Sequence, residues 1–136
     1  MHTILGAGGP IANALTTELV NANQQIRLVS RRPVTPANAN VQWQKADLTN
    51  AAEVMQATKD STIIYMCAGL VYDKTIWQQQ WPVIMQNIIN AAKENNARLI
   101  FFDNVYMYGL VKGPMLESES YHPLSIKGEV RAKVAT

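Results

Sequence analysis

Residues 4–12 read ILGAGGPIA, with Gly6, Gly8 and Gly9 standing immediately ahead of Pro10. Glycine accepts positive φ and lets the backbone approach a ligand with no Cβ in the way. Proline in the first turn of a helix gives up only an N–H that has no helical partner. The remaining amides can donate to a ligand, and the helix dipole adds partial positive charge. The chemistry implied is anion capture, with Gly6, Gly9, Pro10, Ile11 and Ala12 forming a cradle for a pyrophosphate. Register supports the looser glycine pattern: Gly6, Gly8 and Ile11 miss the six-residue fingerprint at its third position, whereas Gly6, Gly9 and Ala12 keep a small residue there for helix packing.

A second group follows. Where a site for NAD would end its second strand with Asp or Glu to hold the adenosine ribose, this chain has Ser30, Arg31 and Arg32. A hydroxyl and two guanidiniums suit the ribose 2′-phosphate of NADP through charge-assisted hydrogen bonds, with Arg31 nearest the strand end. NADP is therefore the expected cofactor and NAD the less favoured one. The alternative is a pair of solvated loop arginines.

These residues need a scaffold, and the apolar pattern supplies one. Thr3 to Gly6 reads as a strand, Pro10 to about Asn23 as a helix and Ile26 to Ser30 as a second strand, which is a βαβ opening. A polar loop, Arg31 to Asn40, leads to Val41 to Lys45, whose alternation suits a strand near a sheet edge. Asn50 is a natural N-cap for a short helix, Ala51 to Thr58. Thr62 to Ala68 and Leu99 to Phe102 are apolar without alternation, as expected of central parallel strands covered on both faces. Between them, Thr75 to Asn95 carries a buried helical stripe that includes Ile84, Ile88 and Ala91, and Pro82 either kinks that helix or starts a second segment. The expected fold is α/β, a doubly wound parallel sheet of Rossmann type in the order 3-2-1-4-5, built as one domain over 1–136.

Bulk properties narrow the function. Twelve basic against 10 acidic residues leave a net charge of +2, too small and too scattered for a nucleic-acid or membrane surface. No run of eighteen apolar residues and no leader pattern occurs, so no membrane span is expected. The single cysteine, Cys67, has no disulfide partner or metal cluster, which suits a reducing, cytoplasmic setting. His2 and His122 lack triad or metal partners. Nothing in the composition decides whether the chain forms a homo-oligomer.

Further motifs join the cradle in order: KADLTN with Asp47 and Leu48, YMCAG with Cys67, Ala68 and Gly69, Asn87 in the long helix, FFDNVYMYG, and Lys127. With them the chain resembles the extended or atypical short-chain dehydrogenase/reductases, especially the NAD-dependent epimerase/dehydratase group, over nearly its whole length. The resemblance implies that Asp47 hydrogen-bonds the adenine amino group, that Cys67, Ala68 and Gly69 lie against the cofactor, and that Lys127 binds the nicotinamide ribose. Taken singly, Asp47 also reads as a cap of the following helix, Cys67 as a buried strand residue and Asn87 as an exposed helix residue.

In that family a tyrosine four residues before the lysine is the general acid/base, and a Ser or Thr holds the substrate oxygen. Here Pro123 stands at the tyrosine position and Asn104 at the Ser/Thr position. Proline has no proton to exchange, so the usual mechanism cannot run unchanged. The candidates left for catalysis are Lys127, Asn104 and Tyr121, which lies six residues before the lysine. Tyr106 and Tyr108, just past the fifth strand, are either loop aromatics packed on the sheet or groups that reach a substrate or the nicotinamide. Ser125 offers a hydrogen bond but no evident base. Family members continue beyond the lysine helix, so the chain is expected to lack a complete C-terminal substrate-binding portion. Three function classes stay open: a reductase or epimerase acting on a small carbonyl or sugar nucleotide, a non-catalytic dinucleotide sensor or interaction module, and the truncated cofactor domain of a larger enzyme.

Overall fold

Five short parallel strands carry the architecture of the computed structural model, which describes residues 1–36 and 38–136. They are β1 (His2–Leu5), β2 (Ile26–Ser30), β3 (Val41–Lys45), β4 (Ile63–Met66) and β5 (Arg98–Phe101), hydrogen-bonded in the order β3-β2-β1-β4-β5. Register is continuous: Ile4 lies beside Leu28 on one flank and Tyr65 on the other. Parallel neighbours need long crossovers, supplied here by α1 (Pro10–Asn21) between β1 and β2 and by α3 (Lys74–Glu94) between β4 and β5, while α2 (Ala51–Ala57) leads from β3 to β4, which do not pair. Strand order reverses at β1, so the carboxyl ends of β1 and β4 flank a topological switch point, where ligands bind in such sheets.

The expected order is thus the observed one, with element ends moved by one or a few residues. The first strand stops at Leu5 because Gly6, at φ +93°, has left the extended region. Helix α1 stops at Asn21 because Asn23 takes a left-handed φ of 55° and the Gln24 amide donates back to the Leu19 carbonyl. Pro82 neither breaks α3 nor starts a new segment. A correction concerns β5. The LIFF run reads as a central strand, yet β5 is the sheet's edge opposite β3, with Ile100 39% exposed. Local sequence reports apolar character, whereas coverage depends on what the rest of the chain brings alongside.

The described residues divide into two compact units: one of residues 1–69 and 86–102, the other of 70–85 and 103–136. The first holds the sheet. Ile4, Leu5, Ile26, Val29, Ile64 and Met66 are wholly buried strand residues, joined by Ala12 of α1, Val54 and Ala57 of α2, and Ile88 and Ala91 of α3. Each large aliphatic side chain so buried contributes about 1.5–3 kcal/mol. One polar pair interrupts this core, Thr3 Oγ1 with Ser61 Oγ at 2.6 Å, and each hydroxyl satisfies the other.

The second unit is built from the first half of α3, a 3-10 turn (Tyr106–Tyr108) and α4 (Ile126–Ala135). Trp77, Trp81, Ile84, Met85, Met107 and Val130 are its buried apolar residues, together with the buried Arg131. Among the described residues no helix is long and apolar enough to cross a membrane.

Candidate functional site

The β1–α1 turn takes the form its composition demands. The Gly6 and Ala7 amides both donate to the Val29 carbonyl, at 2.9 and 3.0 Å, which pins the turn to the end of β2. Gly6 lies directly on the backbone of Ala68, so a Cβ there would overlap Ala68 as well as face a forbidden φ. Gly9 is the N-cap of α1 and brings no side-chain bond to it, Pro10 opens the helix, and no acidic residue stands in the first turn. A helix start with no side-chain cap and no carboxylate suits an incoming anion. Ala12 is buried beneath the turn and Ile11 is exposed beside it. These residues fit a dinucleotide: the turn lies at the carboxyl edge of the sheet and carries glycine where close approach needs it.

At the end of β2, Arg31 and Arg32 are both exposed. The Ser30 hydroxyl is engaged within the protein, donating to the Arg32 carbonyl at 2.6 Å and accepting from Trp43 Nε1 at 3.0 Å. Ser30 therefore shapes the arginine loop. Asp47, past the end of β3, accepts from the Thr49 amide at 2.9 Å and the Thr49 hydroxyl at 2.7 Å. Those two bonds, and to a smaller degree the nearby Arg31 guanidinium, hold its carboxyl below the ordinary range. The cap of α2 is Asn50, which accepts from the Ala52 and Glu53 amides.

Asn87 donates to the Leu48 carbonyl at 3.0 Å, tying α3 to the loop after β3. Cys67, Ala68 and Gly69 follow β4 directly, with the Cys67 amide on the Leu5 carbonyl. Burial pushes the Cys67 thiol above its ordinary pKa, so it is no ready nucleophile at neutral pH. The first unit thereby gathers Gly6 to Ala12, Ser30 to Arg32, Asp47, Leu48 and Cys67 to Gly69 at the carboxyl ends of four strands.

The three residues predicted for catalysis belong to the second unit. Asn104 accepts from the Tyr106 amide at 3.1 Å and so organises the turn after β5. Tyr121 stacks edge-on against Tyr108, with ring centroids 5.3 Å apart. Ser125 caps α4 by accepting from the Gly128 amide. Lys127, in the first turn of α4, places its Nζ 3.1 Å from the centroid of the Tyr72 ring.

Gly128 explains that placement. A Cβ there would collide with the Tyr106 carbonyl and Pro123, so only glycine lets α4 lie this close to the 3-10 turn. Arg131 completes the anchor through its ion pair with Asp103 and by lying 4.4 Å from the Trp81 ring. Burial lowers the Arg131 pKa and Asp103 partly restores it. Tyr72, Asp103 and Arg131 are residues that sequence reasoning missed as a group, since Tyr72 carries no motif and lies far along the chain from Lys127.

A parallel sheet reversing at β1, with a glycine turn and an uncapped helix at the reversal, defines a dinucleotide-binding domain of Rossmann type. The chain belongs to the NAD(P)H-binding family, whose model matches residues 6–133. A comparison with curated proteins found no match. Solved structures share the fold. Bordetella bronchiseptica WbmG in complex with NAD and UDP is 17% identical over 98% of this chain and 47% of its own, with a TM-score of 0.84. MoeE5 in complex with UDP-glucose and NAD is 24% identical over 98% and 46%, at 0.82. Uronate dehydrogenase from Agrobacterium tumefaciens is 18% identical over 98% and 52%, at 0.83. The chain thus spans about half the length of these structures.

Proposed function

We propose that the protein binds NADP(H) and supplies the cofactor-binding part of an oxidoreductase or epimerase acting on a small carbonyl or sugar-nucleotide substrate. The observation that carries the reading is the Gly6–Ala12 turn, where a glycine packed on Ala68 and a helix start without side-chain cap or acid meet at the switch point. Gly6 to Ala12 hold the pyrophosphate, Asp47 the adenine amino group, and Lys127 the nicotinamide ribose, with Leu48 and Cys67 to Gly69 lining the cofactor. The preference for NADP rests on two exposed arginines at a strand end that carries no acid. The substrate class draws support from the UDP and UDP-glucose named with the fold neighbours WbmG and MoeE5. The cofactor, when bound, accepts or donates the hydride.

Fluorescence titration with NADPH and NADH tests the reading. Arg31→Asp should weaken NADPH by about 10- to 100-fold, the worth of a charged hydrogen bond, and leave NADH within about twofold. Equal losses for both would remove the 2′-phosphate assignment, and no binding of either form would remove the reading. Turnover is then sought with UDP-glucose, UDP-glucuronic acid, glucuronate and small aldehydes. Pro123 in the place of the family's tyrosine favours one second reading, a dinucleotide sensor, which binding without turnover on any of these would support.

A further inference from the structure

The Ser30 hydroxyl, which the sequence offers to a phosphate, is the middle of a relay inside the first unit. Trp43 Nε1 donates to Ser30 Oγ at 3.0 Å, and Ser30 Oγ donates to the Arg32 carbonyl at 2.6 Å. Its direction follows from the chemistry of the two ends. An indole N–H can only donate and a peptide carbonyl can only accept, so the Ser30 proton lies on the Arg32 side. A hydroxyl that accepts one bond while giving another strengthens both. Strands β2 and β3 bring the pair together: Leu28 lies beside Trp43 and Ser30 beside Lys45, so the Trp43 side chain stands on the face that Leu28 and Ser30 share. There the half-buried indole packs against the core cluster of Ile4, Ala12, Ile26, Leu28 and Val41, which fixes where its N–H lies.

We infer that Trp43 is a specificity-determining residue for the cofactor, its indole N–H presetting, through Ser30, the arginine loop that takes the ribose 2′-phosphate. The inference rests on the NADP reading above and extends it to a positioning residue on the neighbouring strand. After β2 the chain bends at Arg31 and Arg32 and runs into Pro33. The Ser30 hydroxyl holds the Arg32 carbonyl from one side, and Pro33 bars Arg32 from the helical region on the other. Both exposed guanidiniums thus spring from a backbone that is set before any ligand arrives. A preset loop loses less freedom when it takes up the phosphate, which favours NADPH and does nothing for NADH. Ser30 serves the same end, because its one proton is engaged by the Arg32 carbonyl and not by a phosphate oxygen. The residue before it seats the glycine turn, whose Gly6 and Ala7 amides donate to the Val29 carbonyl, so adjacent residues of β2 anchor the pyrophosphate cradle and the arginine loop.

Trp43→Phe keeps an aromatic ring against the core and removes the N–H. Calorimetric titration with NADPH and with NADH reads the result without relying on tryptophan emission. The expected outcome is NADPH weaker by about fivefold, the share of one neutral hydrogen bond, with NADH within about twofold of wild type. Ser30→Ala, which removes both bonds through a smaller change of side chain, should weaken NADPH by about tenfold and again leave NADH within about twofold. The double variant should bind NADPH no more weakly than Ser30→Ala alone, since Trp43 acts only through that hydroxyl. Wild-type NADPH affinity in Trp43→Phe overturns the proposal, and so do losses of equal size for the two cofactors in both single variants, which would be an effect of packing. Losses that multiply in the double variant overturn it as well, because Trp43 would then act by another route. A wild-type protein that binds NADPH no more tightly than NADH removes instead the 2′-phosphate reading on which the proposal rests.

Discussion

Replacing Gly6 by alanine probes the cradle at the point where fold and function share one atom position. Two costs follow. An L-residue held at φ +93° carries strain of about 1–3 kcal/mol. The new methyl would also overlap the Ala68 backbone, and relieving such an overlap costs typically about 1–3 kcal/mol. Because one backbone shift relieves part of both, the expected loss is about 3 kcal/mol, a large share of the roughly 5–15 kcal/mol available to a domain. Urea unfolding followed by circular dichroism measures it, and Tm should fall by roughly 10 °C. NADPH affinity should drop by about tenfold or more, since the shift moves the amides that face the pyrophosphate. Gly69→Ala is the internal control for stability: no atom lies within 4 Å of its would-be Cβ, and its effect should stay within about 0.5 kcal/mol. A Gly6→Ala protein that loses less than about 1 kcal/mol and binds NADPH as before would refute the reasoning.

Two further outcomes follow from charges. Arg131→Ala removes a guanidinium only 3% exposed and leaves Asp103 without that partner; breaking a buried pair costs about 3–5 kcal/mol, and since the Asp103 side chain is 20% exposed the low end, about 3 kcal/mol, is expected in urea unfolding. Asp47→Asn should show its cost only where the carboxylate matters: its folded pKa lies below the unfolded value, so the stabilisation is present above about pH 4 and disappears as pH falls through the folded pKa. Unfolding curves of the two proteins should therefore differ at pH 7 and converge in acid, and a difference independent of pH would place the effect in packing.

The parts of the fold that were legible in the sequence are those decided by neighbours along the chain. The glycine turn, the proline at the start of α1, the Asn50 cap and the alternation of Val41 to Lys45 are local chemistry, and each stands where its residue types require. The order of the sheet followed from handed crossovers between such elements. Contacts across long separations were not legible. Trp43 meets Ser30 from the neighbouring strand and joins Arg32 in engaging the hydroxyl that the sequence offers to a phosphate. The exposure of β5 was hidden for the same reason, because the apolar run that marks a strand does not say how many sides are covered.

The same lesson holds in the second unit. Lys127 and Arg131 are four residues apart on α4 and so share a face of the helix. Arg131 fixes the rotation of that face through Asp103 and Trp81, and Gly128 sets its approach to the Tyr106 carbonyl. Lys127 is left with little choice of where its ammonium lies, and it lies on Tyr72. The contact of Lys127 with the Tyr72 ring is therefore a matter of how α4 is seated. On this argument Arg131→Lys, which keeps a cation for Asp103, should recover in urea unfolding part of the stability that Arg131→Ala loses.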